Sequence, residues 1–311
     1  MPRAVIRLLL TLQIVAFGIS GCDNRRSSSP PDKSAQGPNT GKYVVRDGIG
    51  RQVELRRHPR RVISLAPSVS EVIYMVEADD RLIGVTNQCD WPADVANKPR
   101  IGDLLSPNYE LILASRPDLI IASTAGNDRA AVLKLAELGL PVIVTAPRSV
   151  EKIFETVKLI GQVTDSAARA DKLVTQMKVR LEEVKRRLNG LPPIRAFFIT
   201  WFDPLLAPGK NTFETDVLRQ AGVMSITADI DEFYPRYSLE QVLAQDPEVI
   251  LTVEHKGNPL PDLKRLAGWR RLGAVRNGRV YVLPEEFQHP SPRCIDGVEE
   301  LARKLHPELF Q

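Results

Sequence analysis

The sequence predicts an α/β protein of two similar lobes joined by one long helix, and three observations carry that reading. A twelve-residue phrase occurs twice, as E-L-I-L-A-S-R-P-D-L-I-I at 110–121 and E-Q-V-L-A-Q-D-P-E-V-I-L at 240–251. The Glu, the Leu-Ala pair, the Pro and one Ile coincide, and most other positions exchange within a class. Each copy reads as an amphipathic helix opening on Glu, stopped at Pro, then a short buried strand. The copies lie too far apart for a solenoid repeat. Strand and helix patterns also alternate on both sides of the middle, which argues for parallel sheets covered by helices. Between the two halves, Thr164–Leu188 holds no Gly or Pro and carries apolar residues at helical spacing (Leu173, Val174, Met177, Leu181, Val184). That stretch predicts one helix about 37 Å long.

The elements follow in order. The chain opens with two arginines, runs apolar from Leu8 to Gly18 and reaches I-S-G-C at Ile19–Cys22. This is the pattern of an export signal, too short for a spanning helix, which needs ~20 apolar residues. Residues 23–42 contain one Ala and no larger apolar residue. They predict a flexible tether with a reach of about 25 Å. Residues 43–60 carry an R-D-G-I-G-R turn between alternating stretches, a hairpin signal. R-V-I-S-L is then a strand, and S-V-S-E-V-I-Y-M-V opens a helix with Ser68 as its N-cap. R-L-I-G-V-T is a strand; the first repeat copy is followed by the helix A-A-V-L-K-L-A-E-L, with Gly139 as its stop, and the strand P-V-I-V-T. After N-G-L-P-P ends the long helix, I-R-A-F-F-I-T-W and T-F-E-T-D-V-L-R-Q-A-G restart the pattern. The second copy, R-V-Y-V-L-P and a terminal helix from about Ile295 complete it. The domains read as 1–21 signal, 22–42 tether, 43–163 first lobe, 164–189 connecting helix and 190–311 second lobe.

The net charge is +4. Lys and Arg read as dispersed among acids, which argues against nucleic acid as a partner. The four histidines do not pair at metal-ligand spacing, there is no G-x-S-x-G elbow, and P-G-K-N-T at 208–212 lacks the leading glycine of a phosphate loop. No catalytic residue, resident cofactor or metal site is therefore expected.

R-V-I-S-L-A-P-S-x-x-E (61–71), R-L-I-G-V-T-x-x-C-D-W-P (81–92), P-R-I-G-D (99–103), both repeat copies and S-P-R (291–293) together resemble the cluster III substrate-binding proteins of bacterial ABC importers. Those proteins deliver vitamin B12, ferric siderophores and haem. The resemblance runs from Tyr43 to the C-terminus. It implies two Rossmann-like lobes bridged by one helix, a ligand cleft between them, a permease and its ATPase as partners, and a monomer that does no chemistry. The Ile-Ser-Gly-Cys ending resembles a lipoprotein signal, which makes Cys22 the lipidated first residue of an exported, membrane-anchored chain.

The family places one acid per lobe against permease arginines; here these are Glu110 and Glu240. Both also suit a helix N-terminus electrostatically. Vitamin B12 binders of the family line the cleft with aromatic residues from both lobes. The matching positions here are Gln88, Leu104, Ser123, Leu206, Tyr234 and Glu286, so only Tyr234 is aromatic. Trp91 and Phe287 are neighbouring aromatics that stand in, with Trp201 and Phe202 as further candidates. Ser68, His289 and Arg293 join them from motifs that resemble the family's cleft loops. A corrinoid such as cobalamin is the favoured cargo. A ferric siderophore (Arg236 and Arg293) or haem (Tyr234, Tyr237 or His289 on iron) is the alternative, and an exported enzyme or sensor lipoprotein the alternative of another class. Cys89 and Cys294 lie in cleft-facing motifs of opposite lobes, so they are either one disulfide stapling the lobes or two buried thiols.

Overall fold

The computed structural model describes residues 41–311 other than 57, 254–258 and 285–286. The signal, Cys22, nearly all of the tether and Glu286 lie outside the described residues. Among the described residues no helix is long and apolar enough to cross a membrane.

Strands β1 (Lys42–Arg46) and β2 (Gln52–Arg56) form the expected antiparallel hairpin. Its turn is organised by the buried Asp47 carboxylate, which accepts the Arg51 N–H at 2.8 Å and pairs with the Arg51 guanidinium. The first lobe is a parallel sheet in the order β4-β3-β5-β6, from β3 (Val62–Ser64), β4 (Leu82–Val85), β5 (Leu119–Ser123) and β6 (Val142–Thr145). Its helices are α1 (Pro67–Met75), α2 (Tyr109–Ala114), α3 (Arg129–Glu137) and α4 (Val150–Val163). Gly139 sits at φ +78, the left-handed position that ends α3. The connecting helix α5 spans Ala167–Leu188. It begins three residues later than the uninterrupted pattern suggests, because Asp165 takes φ 60 and breaks α4 from α5.

The second lobe repeats the order as β8-β7-β9-β10, from β7 (Ile194–Ile199), β8 (Val223–Ser225), β9 (Val249–Val253) and β10 (Val280–Leu283). Helices α6 (Phe213–Gln220), α7 (Leu239–Gln245), a short α8 (Gly273–Arg276) and α9 (Cys294–Leu305) accompany it. Two three-residue turns sit where the first lobe has α3 or beside it: Leu263–Arg265 and Trp269–Arg271 pack together with α8. The correspondence is therefore β3 with β7, β4 with β8, β5 with β9, β6 with β10, α1 with α6, α2 with α7 and α4 with α9.

The repeated phrase is the clearest match between lobes. Each helix buries its third phrase residue completely, Ile112 and Val242. Each chain reverses at a left-handed residue before Pro, Arg116 at φ 46 and Asp246 at φ 40. The acid after Pro then grips the neighbouring strand. Asp118 accepts the Arg61 N–H at 2.9 Å, and Glu248 accepts the Arg195 N–H at 2.9 Å. The same two arginines send a guanidinium to the last carbonyls of α2 and α7, at Ser115 and Gln245, both at 2.6 Å. One set of backbone demands, met twice, explains why the phrase recurs.

One apolar core runs through both lobes, including Ile73, Ile121, Ile160, Val174, Leu181, Phe198, Leu251 and Ile295. Arg180 of α5 adds ion pairs to Asp296 and Glu299 of α9, at 2.6 and 2.7 Å. A shared core limits relative motion of the lobes, since packed interiors deform little.

Candidate functional site

In a parallel sheet every strand ends on the same edge, and ligands bind outside the carboxyl ends of the strands. The sequence-predicted site residues follow those ends. Ser68 lies after β3, Gln88 and Trp91 after β4, Ser123 at the end of β5, Leu206 after β7, Tyr234 after β8, and His289 and Arg293 after β10.

The structure gathers these residues into three groups. The first is Gln88, Leu104 and Ser123. Gln88 donates to Asp103 at 3.2 Å and accepts the Leu104 N–H at 3.0 Å. Asn127 donates to the Leu104 carbonyl at 2.8 Å and the Leu65 carbonyl at 2.7 Å, and accepts the Ser123 N–H at 2.8 Å. Asn127 thus knits three strand-end loops.

The second group is Leu206 and Tyr234, on two laced segments. Leu206 bridges to Trp201 and Arg236, and Gly209 N–H donates to the Phe233 carbonyl at 2.9 Å. A Cβ at Gly209 would come within 2.0 Å of the Glu232 carbonyl oxygen, so only glycine permits the lacing. Tyr234 is 43% exposed as a residue, while its hydroxyl donates to Glu214 at 3.0 Å. Glu214 is buried, and that burial raises its carboxyl above the usual range against the opposing pull of hydrogen bonds from its own backbone and from Tyr234. Burial of the hydroxyl end and the Glu214 charge raise the phenol in turn. The Tyr234 hydroxyl is thus committed to Glu214.

The third group crosses between lobes. The Glu71 carboxylate of α1 is 1% exposed. It accepts the Ser291 hydroxyl at 2.6 Å, with His289 Nδ1 at 3.5 Å and an Arg293 nitrogen at 3.7 Å. The Arg293 guanidinium lies 4.9 Å over the Trp91 ring. A counterpart exists on the other side. Asp216 of α6 accepts the Val150 N–H at the start of α4, at 2.8 Å, and Arg148 lies 4.9 Å over Phe233. So the first helix of each lobe sends an acid to the start of the last helix of the other lobe. An Arg beside that start covers an aromatic residue from the other lobe. Arg148 also lines a polar cavity of about 440 Å³ with Lys210, Asn211, Thr215 and Arg219.

Two sequence expectations are corrected, and the alternative left open for the cysteines is resolved. Ser68 is not the N-cap of α1: Ala66 holds that position, because Pro67 with its fixed φ takes the first helical turn, and Ser68 is buried behind it. Phe287 does not face the cleft. It is wholly buried and stacked on Phe198 at 5.6 Å, since it follows β10 into the shared core. Cys89 and Cys294 are separate buried thiols. Cys89 sulfur meets the Ser70 and Thr86 hydroxyls at 3.2 and 3.3 Å, and burial pushes the Cys294 thiol far above its usual range. Phe202 and Tyr237 also belong to the core, against Trp269 and Phe197. Glu71, Asp216 and Glu214 were not singled out as site residues in the sequence. The available signal was a charged residue on an otherwise apolar helix face, S-V-S-E-V-I and T-F-E-T-D-V.

Glu110 and Glu240 occupy the second residue of α2 and α7, both exposed. The caps are supplied by neighbours, Asn108 and Ser238, and Ser238 forms a full capping box with Gln241. The Glu240 carboxyl is held below the usual range by its own N–H and the Ser238 hydroxyl.

A family model described as a periplasmic binding protein matches residues 62–287. An uncharacterised ABC transporter substrate-binding lipoprotein of Bacillus subtilis, YvrC, is 26% identical over 308 residues, covering 96% of each chain. A vitamin B12-binding protein of Vibrio cholerae is 29% identical over 247 residues, covering 79% of this chain and 88% of its own. The crystal structure of the periplasmic vitamin B12-binding protein BtuF of Vibrio cholerae superposes with a TM-score of 0.71 at 28% identity, covering 82% of this chain and 99% of that one.

Proposed function

The chain belongs to the periplasmic binding protein family, and from that premise we propose that it captures a corrinoid such as cobalamin between its lobes and hands it to an ABC permease energised by an ATPase. Cys22 carries the lipid that anchors the exported chain, as a monomer, to the membrane. Glu110 and Glu240 are the two feet that meet permease arginines. Delivery needs no chemistry from the protein.

The observation that carries the choice of cargo is Tyr234. It is exposed at the strand-end edge, and its hydroxyl is committed to buried Glu214. A ring face suits packing against a flat macrocycle. Iron ligation would require the Tyr234 hydroxyl to give up its bond to Glu214. The likeness to vitamin B12-binding proteins points the same way. Gln88, Leu104 and Leu206 make the remaining walls, with Trp91, His289 and Arg293 at the lobe junction; Ser123, expected among them, is buried and accepts the Ala125 N–H instead.

Titration of the purified protein with cyanocobalamin, haemin and a ferric siderophore tests this, following tryptophan quenching and visible absorbance. Saturable quenching by cyanocobalamin alone is expected, weakened at least tenfold by Tyr234→Ala. Tight haemin or siderophore binding without cyanocobalamin binding would replace the cargo and keep the family.

A further inference from the structure

From Leu263 to Pro284 the chain carries six cations, Lys264, Arg265, Arg270, Arg271, Arg276 and Arg279, and no acid. The whole chain is only +4, so the remainder is net negative. Charge that reads as dispersed along the full sequence is thus concentrated on one segment. The three short elements that carry it, Leu263–Arg265, Trp269–Arg271 and α8, pack on one another. Their apolar members, Leu263, Trp269, Leu272 and Val275, are buried and anchor the segment to the second lobe. The cations at 264, 265, 270, 271 and 276 are exposed. Among the described residues only Arg265 has an acidic partner, Asp262 at 3.2 Å. The outcome is a set of five exposed cations, four of them arginine, on three mutually packed short elements, with the exposed carboxylates of Asp262 and Asp246 beside them.

We propose that this face binds anionic phospholipid headgroups. Guanidinium groups match phosphate oxygens in bidentate geometry and are weakly hydrated, so they transfer readily to a phosphate-rich surface. The three short elements lack what a protein interface needs at its centre: no large apolar side chain of theirs is exposed, and Val282 of β10 is the one exposed in the 263–284 segment among the described residues. The short elements also pack beside α7, where Leu239 lies against Gly268 and precedes Glu240. The basic face therefore flanks the second foot, where the leaflet around a permease lies. That last relation rests on the docking role of Glu240; binding to lipid alone does not.

Binding of the mature chain, with Cys22→Ser to remove the lipid, is measured on vesicles of phosphatidylcholine with and without phosphatidylglycerol. Retention on the phosphatidylglycerol vesicles alone is expected, and loss of it as salt shortens the screening length. Each cation near an anionic surface changes partition about fivefold. Arg270→Glu/Arg271→Glu/Arg276→Glu should lower retention about a hundredfold or more, with circular dichroism unchanged. The triple Arg→Lys variant should keep most of it. Equal binding to neutral vesicles, or reversal without effect, overturns the proposal. Loss of reversal-sensitive binding to everything except permease-bearing neutral vesicles would instead assign the face to an acidic protein surface and overturn the lipid assignment.

Discussion

The two junctions between the lobes use one design with different strengths. On one side Glu71 is wholly enclosed and gathers Ser291, His289 and Arg293, with Arg293 over Trp91. On the other side Asp216 receives one backbone N–H from α4 and an ion pair from the exposed Arg219, and Phe233 beneath Arg148 is 48% exposed. The internal repeat thus extends beyond the phrase at 110 and 240 to the contacts between lobes. The difference teaches where the molecule is fixed. At the Glu71 junction the carboxylate is buried, while His289 and Arg293 beside it keep partial exposure. The Asp216 junction lies beside a cavity of about 440 Å³.

Unequal junctions give unequal mutants. Glu71→Ala removes the acceptor shared by Ser291, His289 and Arg293 and should cost about 3 kcal/mol of folding free energy. Asp216→Ala removes one capping acceptor in a wetter place and should cost about 1 kcal/mol. Urea denaturation of both variants measures the gap. Equal losses would make the two junctions equivalent and remove the distinction.

The buried acid behind Tyr234 sharpens the same contrast through pH. A carboxyl raised in the folded state keeps its proton where the unfolded chain has lost it, so stability falls as pH rises through the raised value. The contribution is fully present below the unfolded value. Glu214→Gln should remove that component, and its melting temperature should fall less than the parent's between pH 4.5 and 7. Identical pH profiles would place the carboxyl in water instead.

The smallest effects belong to the caps. Asn108→Ala and Ser238→Ala should each cost about 1 kcal/mol by thermal unfolding, without moving cargo affinity. A loss of uptake from either substitution at unchanged stability would mean that the capping residues, and not only the glutamates, touch the partner.

Much of this architecture is legible in the sequence because it depends on local backbone demands. Pro117 and Pro247 stop helices, Gly139 takes a left-handed turn, and the 110 and 240 phrases repeat for the reasons given by Arg61 and Arg195. The cleft is less legible. Glu71 and Ser291 are 220 positions apart, and nothing in either segment names the other. Phe287 and Tyr234 both follow strands, and an aromatic residue there serves core or cleft according to packing across the lobes. Two cysteines state a possible bond but not a distance. The 263–284 cation cluster was visible as letters and was lost in the whole-chain average.

Delivery by two equivalent feet, Glu110 and Glu240, is the central proposal for this protein. Uptake of labelled cyanocobalamin is therefore measured in cells that depend on this protein, with Glu110→Lys and Glu240→Lys singly and together, and cargo affinity is measured on the same purified variants. Each single reversal should impair uptake, and the pair should abolish it while affinity stays within about twofold, because exposed rim charges set orientation and encounter with a partner. Normal uptake by the double variant would contradict the docking role of both residues.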